Sequence, residues 1–132
     1  MNAVIDSSLM VSCLLTDQDS DAALAQIEPL LSSQCHVPTS WIYEITSALK
    51  IACDRNRLSE VDVESFLARL KVLLIDHHHC DGQALIEIAR ATDLHIYDAA
   101  YLALCLQEQL PLATLDSSKV AAARKLGIEV LV

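Results

Sequence analysis

The sequence predicts an α/β domain in which a parallel sheet lies between layers of helices. Three observations lead there. Five short apolar runs without polar alternation mark strands buried on both faces. Helical patterns stand between them, the order expected of parallel strands joined by crossover helices. Two glycines and three prolines leave little material for the tight turns of an all-β fold. The 132 residues suit a single domain, taken as residues 1–132. Hydrophobic residues make up 53% and aromatics only 4%, so the core must be built from Ala, Leu, Ile and Val.

The first strand is Ala3-Val4-Ile5, ending at Asp6. A helix is expected from Ser20 to about Leu31, with Ala23, Leu24, Ile27, Leu30 and Leu31 on one stripe. Cys35-His36-Val37 is the second strand, closed by Pro38. The next helix runs from Thr39 to about Cys53 and places Trp41, Ile45, Ala48, Leu49 and Ala52 at helical spacing. Ser59-Glu60-Val61-Asp62 has the spacing of a capping box and opens a helix to Lys71, with Val63, Phe66, Leu67 and Leu70 inward. Val72 to Ile75 is the third strand, closed by Asp76, and a helix follows from Asp81 to about Thr92. Tyr97 to Gln109 is apolar on nearly every side and should be the most buried helix. Leu112 to Leu115 is the fourth strand. Ser117 to Leu126 is a short helix stopped by Gly127, and Ile128 to Val132 is the fifth strand.

Eighteen acidic against nine basic residues give a net charge of −9, which by itself opposes electrostatic binding of nucleic acid. The opening residues Met1 to Asp6 have no basic segment and do not read as a signal peptide. No apolar run is long enough to span a membrane. The five scattered cysteines (Cys13, Cys35, Cys53, Cys80 and Cys105) include no CxxC pair and read as free thiols of a cytoplasmic protein.

Parallel strands present their C-terminal ends along one edge, and ligands of open α/β sheets bind there. Sorted by position, four acids meet at that edge. Asp6 ends the first strand and Asp116 follows the fourth. Glu44 stands in the first turns of the helix after the second strand, and Asp98 near the start of the most apolar helix. Asp6, Asp98 and Asp116 are each also placed to cap a helix, and Glu44 alone reads as a solvated position. Asp98, however, is embedded in the apolar stretch Ile96 to Leu104, where an unpaired carboxylate is costly. Clustered carboxylates need a cation among them. No Lys or Arg adjoins Asp6, Glu44 or Asp98 in sequence, which makes a divalent metal the simpler partner, although a tertiary contact could supply the charge. Oxygen-only ligands suit Mg²⁺ or Mn²⁺. Such ions activate water and stabilise charge in phosphoryl displacement, so the pattern points to phosphodiester hydrolysis.

Val4-Ile5-Asp6-Ser7-Ser8, Val37 to Leu49 around Glu44, Tyr97-Asp98-Ala99-Ala100-Tyr101-Leu102-Ala103-Leu104, Thr114-Leu115-Asp116 and Lys125-Leu126-Gly127-Ile128 together resemble the PIN-domain ribonucleases, especially the VapC-type toxins of bacterial toxin–antitoxin systems. The resemblance spans essentially the whole chain. It implies a three-layer α/β/α sandwich with a central five-stranded parallel sheet, and RNA cleavage at a Mg²⁺ or Mn²⁺ site. Its acidic quartet falls on Asp6, Glu44, Asp98 and Asp116, with Thr114 and Ser8 as supporting hydroxyls. It further implies a homodimer and a cognate antitoxin whose tail occludes the site. The stretches Leu9-Met10-Val11 and Ile42 to Ile51 offer apolar material either for that dimer or for the core.

His77-His78-His79-Cys80 lacks a second ligand pair at zinc-finger spacing and is expected to be a solvated loop. His36 and His95 read as ordinary polar positions, and Asp76 as a reserve acid outside the quartet. Asp17, Asp19 and Asp21 open like a calcium loop, but the later ligands are missing. Lys50, Arg55, Arg57, Arg69 and Lys71 gather five of the nine bases between residues 50 and 71, either as helix-end charges or as a track for RNA phosphates. Lys119 and Arg124 are candidates to extend that track. The rival readings are a non-catalytic scaffold that binds a protein partner, and another magnesium-dependent α/β protein. A receiver domain would pair acids after its first strand, whereas Asp6 stands alone. A haloacid-dehalogenase-type phosphatase would carry Asp at position 8, which is Ser8.

Overall fold

The computed structural model describes residues 2–14, 29 and 33–131. Strands β1 (Ala3–Ile5), β2 (Cys35–Pro38), β3 (Ile75–His78), β4 (Leu112–Ala113) and β5 (Val130–Leu131) form one sheet. Their spatial order is β3-β2-β1-β4-β5, and every pairing is parallel. The helices are α1 (Ser7–Leu14), α2 (Trp41–Asp54), α3 (Glu60–Lys71), α4 (Gly82–Thr92), α5 (Ile96–Glu108) and α6 (Ser117–Lys125). The α/β fold with five parallel strands is the one the sequence predicts. The helix expected between Ser20 and Leu31, and Asp17, Asp19 and Asp21, lie outside the described residues apart from Pro29. No helix among the described residues is long and apolar enough to cross a membrane.

The chain turns from β1 directly into α1, where the carbonyl of Asp6 accepts the Met10 amide at 3.1 Å. Sequence patterning assigns no helix here. Its buried residues Leu9, Met10 and Cys13 nevertheless share one helical face. They sit in the core, so Leu9 and Met10 do not form a free dimer surface. On α2, Trp41, Ile45 and Leu49 are buried while Ile51 is exposed. Helix α5 is the most buried, with every residue from Ala99 to Cys105 inside, as expected from its apolar composition.

The third strand lies further along than the apolar run suggests. Helix α3 ends at Lys71, and Val72 and Leu74 are 81% and 67% exposed in the turn that follows. Pairing starts where the Cys35 amide reaches the Leu74 carbonyl at 2.8 Å, and residues 75–78 then match 35–38 in register. β3 is an edge strand, which tolerates polar residues that a central strand would exclude. Asp76 is therefore within the strand, not after it, and His77 and His78 are strand residues, not a solvated loop. The ladders of β4 and β5 are likewise shorter than their apolar runs, although Thr114 and Ile128 beside them are buried.

Helix ends follow local chemistry. Gly127 takes φ +75°, its amide meets the Arg124 carbonyl at 3.2 Å, and the Ile128 amide meets that of Ala123 at 2.8 Å. That pair of bonds closes α6 as a Schellman motif, the stop expected at this glycine. At the start of α3, Ser59 and Asp62 exchange side-chain and backbone hydrogen bonds in a complete capping box, at 3.2 Å and 2.9 Å. Ser59→Ala removes one half of it, and should cost about 1 kcal/mol of folding stability. Urea unfolding should show it as a lower midpoint at unchanged slope.

Candidate functional site

The site grows from the adjacency of β1 and β4. The Asp6 amide donates to the Ala113 carbonyl at 3.0 Å, which brings the ends of the two strands side by side. Asp6 has no solvent exposure. Its Oδ2 accepts the Thr114 hydroxyl at 2.6 Å and the Ser8 hydroxyl at 3.1 Å. Thr114 Oγ1 in turn accepts the Asp116 amide at 3.0 Å, so one hydroxyl links two of the acids. Asp116 caps α6 through Oδ1, which accepts the amides of Ser118 at 2.8 Å and Lys119 at 3.3 Å.

Lys119 stands one turn along α6 and points back into the cluster. Its Nζ lies 3.2 Å from Asp6 Oδ2, 3.2 Å from Asp98 Oδ1 and 3.5 Å from Asp116 Oδ2. It also lies 5.1 Å from the centre of the Tyr101 ring. The residue is only 5% exposed. The tertiary contact that the sequence left open beside a metal is present: Lys119 places a cation among the acids. Two expectations are corrected here. Lys119 is not part of a solvent-facing track for phosphates. Asp98, at the start of α5, has a side chain 34% exposed and paired with Lys119, and is not enclosed by an apolar surround. The buried acid is Asp6.

Glu44, in the first turn of α2, is held beside this cluster by hydroxyls. Its Oε1 accepts the Tyr101 hydroxyl at 3.0 Å and that of Ser40 at 3.5 Å, and Oε2 accepts the Ser7 hydroxyl at 3.4 Å. Tyr101 also accepts the Ser7 amide at 3.3 Å, which ties α5 to the start of α1. Sequence reasoning missed Lys119, Tyr101, Ser7 and Ser40 in these roles. A signal existed for two of them. Lys119 and Tyr101 follow Asp116 and Asp98 by three residues, and residues three apart share a helix face.

The electrostatics follow the contacts. Burial raises the Glu44 carboxyl above its usual range, and the Tyr101 hydroxyl and Lys119 only partly offset this. Burial also pulls Asp116 upward, but the amides of Lys119 and Ser118 and the Lys119 ammonium prevail and hold it low. Burial opposes the charge on Lys119, yet Asp6 and Asp98 more than compensate and keep it protonated. Burial pushes Tyr101 far up, so it remains a hydroxyl donor.

One ammonium against four carboxylates leaves the cluster acidic. Its donors are all carboxylate oxygens, the set that suits a hard divalent cation. Three of them already hold a positive charge between them, so the residues fit such an ion, in competition with Lys119. Away from the cluster, Lys50, Arg55, Arg57, Arg69 and Lys71 are all exposed, and Lys50 pairs with Asp54 at 2.7 Å.

Residues 3–126 match the family model for the PIN domain. The chain belongs to this family. Its fold is similar to that of PAE2754 from Pyrobaculum aerophilum, with a TM-score of 0.74 and 17% identity over 99% of this chain and 84% of that one. It is also similar to VapBC2 from Rickettsia felis, solved bound to a DNA fragment from its promoter (TM-score 0.67, 10% identity, 98% and 97% of the two chains). FitAcB from Neisseria gonorrhoeae gives a TM-score of 0.62 at 15% identity, over 100% and 97% of the two chains. No curated protein matches the sequence.

Two substitutions test the electrostatic account. Lys119→Met strands the buried Asp6 charge and should destabilise the fold by about 3–5 kcal/mol in denaturant titrations. Glu44→Gln should act in the opposite direction. An acid whose folded-state pKa is raised costs stability once pH exceeds its unfolded pKa, and the cost is complete above the folded pKa. Melting temperatures should therefore favour Glu44→Gln at neutral pH, with the advantage vanishing as pH falls below the ordinary carboxylate range.

Proposed function

We propose that this PIN-domain chain is a Mg²⁺- or Mn²⁺-dependent endoribonuclease, and that it acts as the toxin of a two-gene module with a cognate antitoxin. PIN domains are generally nucleases. One observation carries the reading for this chain: Asp6, Asp98 and Asp116 converge within 3.5 Å of a single positive charge, although they come from three separate parts of the sequence.

Asp6 and Asp98 would hold the metal, with Glu44 and Asp116 completing its surroundings. The ion would supply an activated water and charge stabilisation at phosphorus. Thr114 and Ser8 fix the orientation of Asp6 through Oδ2, leaving Oδ1 toward Lys119 and the centre of the cluster. Glu44 is held by Tyr101 and Ser7 with its proton affinity raised, which suits it to take a proton from water. Lys119 carries a charge that would neutralise a phosphate oxygen once the acids are occupied by metal.

The toxin reading draws on the family and on the likeness of fold to VapBC2 and FitAcB. An acidic cluster suits a basic segment of an antitoxin. A homodimer and a cytoplasmic location belong to the same proposal. The Lys119 contacts also favour a second reading, since a scaffold without catalytic activity could keep its acids neutralised in this way.

A cleavage assay separates the two. The protein should cut RNA with Mn²⁺ or Mg²⁺ and not with chelator present. Asp6→Asn and Asp98→Asn should each lower the rate by at least about 100-fold while far-UV circular dichroism stays native. Full activity in the double Asn variant would refute the mechanism, and absence of both cleavage and metal binding in the unaltered protein would favour the scaffold.

A further inference from the structure

The register of β2 and β3 assembles a second cluster that shares no residue with the acidic site. His36 pairs with Asp76 across the two strands, and His78 lies two residues beyond Asp76. Paired residues in a parallel ladder, and residues two apart on a strand, share one face of the sheet. The His36 and His78 rings stand 5.1 Å apart, with His36 Nδ1 2.9 Å from His78 Nε2. One ligand atom from each of His36, Asp76 and His78 lies within 4.8 Å of the others. Behind them, His78 Nδ1 meets Glu108 at the end of α5, at 3.1 Å. Gln34 donates to one oxygen of Asp76, leaving the other free of that bond.

We infer that His36, His78 and Asp76 form a binding site for a borderline divalent transition ion, with Zn²⁺ as its natural occupant. Two imidazoles and a carboxylate are typical zinc ligands, whereas Mg²⁺ prefers oxygen alone. Two nitrogens bound tetrahedrally to zinc stand about 3.3 Å apart, so the rings need separate by only a few tenths of an ångström to admit it. The tautomer of His78 suits the role. Glu108 takes the Nδ1 proton of His78, which turns the Nε2 lone pair toward His36. A carboxylate behind a ligating histidine is the usual device for orienting it. Nδ1 of His36 faces the cluster, where it donates to that lone pair, and it gives up this hydrogen bond and its proton when the ion enters. The ion would join edge strand β3 to β2, and through His78 and Glu108 to α5.

The test is Zn²⁺ binding by the reduced protein, followed by competition with a chromophoric chelator and by thermal melting. With excess Mg²⁺ present to hold the acidic cluster, one Zn²⁺ site per chain and a Zn²⁺-dependent rise in Tm are expected. His36→Ala and His78→Ala should abolish both, while Asp6→Asn should leave both unchanged. Glu108→Gln, at an exposed helix end where packing is untouched, should weaken Zn²⁺ about 10-fold, which covers the case in which a histidine variant fails to fold. Co²⁺ should give a tetrahedral visible spectrum without a thiolate charge-transfer band. Undiminished affinity in both histidine variants, a thiolate band, or no Zn²⁺ binding by the unaltered protein would each overturn the site and leave a hydrogen-bonded histidine pair.

Discussion

A carboxylate without solvent exposure has to be answered inside the protein, and Asp6 is such a group. Lys119 answers it, and the same ammonium reaches Asp98 and Asp116. A buried ion pair returns little net stability over an apolar replacement, because both charges lose their water. Its larger consequence is positional. The end of β1, the start of α5 and the start of α6 must stand in one relative arrangement for three carboxylates to share one cation. The hydroxyls of Thr114, Ser8 and Tyr101 then remove the remaining freedom of Asp6 and Glu44. The cluster is organised by the protein's own contacts, the kind of preorganisation that electrostatic catalysis would use on the proposed function.

The sheet order explains why two unlike clusters arise in one small fold. β1 and β4 are central neighbours, fully buried, and a charge at their ends has to be matched closely. β3 has a neighbour on one side only, and its residues are half-buried or exposed. There, histidines and an aspartate can face β2 without the full cost of burial. The hard, oxygen-only cluster therefore lies at the centre of the sheet, and the mixed nitrogen and oxygen cluster lies at its edge.

Elements whose signal is local were legible in the sequence. The capping box at Ser59, the stop at Gly127 and the apolar run through α5 follow from neighbours a few residues apart. So did the placement of Asp6, Glu44, Asp98 and Asp116 near one edge, since parallel topology requires it. The third strand was misplaced because apolar residues after α3 mimic a buried run, while the real strand carries His and Asp that only an edge admits. Lys119 was misread for a different reason. Its role depends on a contact 113 residues away in the chain, and only its spacing from Asp116 hinted at it. Glu44 shows the same limit: its position was readable, but its hydroxyl partners, apart from Ser40, lie on other elements.

The net charge of −9 takes on a different weight once positions are known. Lys119 and Asp6 are withdrawn from the surface together, so what a polyanion meets is as acidic as the composition suggests. Eight exposed bases remain, on α2, α3, the turn between them, α4 and α6, and Lys50 among them pairs with Asp54. Eight charges facing a larger number of acids neutralise few phosphates, so counterion release can contribute only modestly to binding. On the ribonuclease reading, RNA must then be held largely by what its shape and unstacked bases offer, and by cations in the cleft itself. On the same reading, the acidity that disfavours long-range attraction is the acidity that would hold the metal, and selectivity would shift from the approach of the substrate to its final position over Asp6 and Asp98.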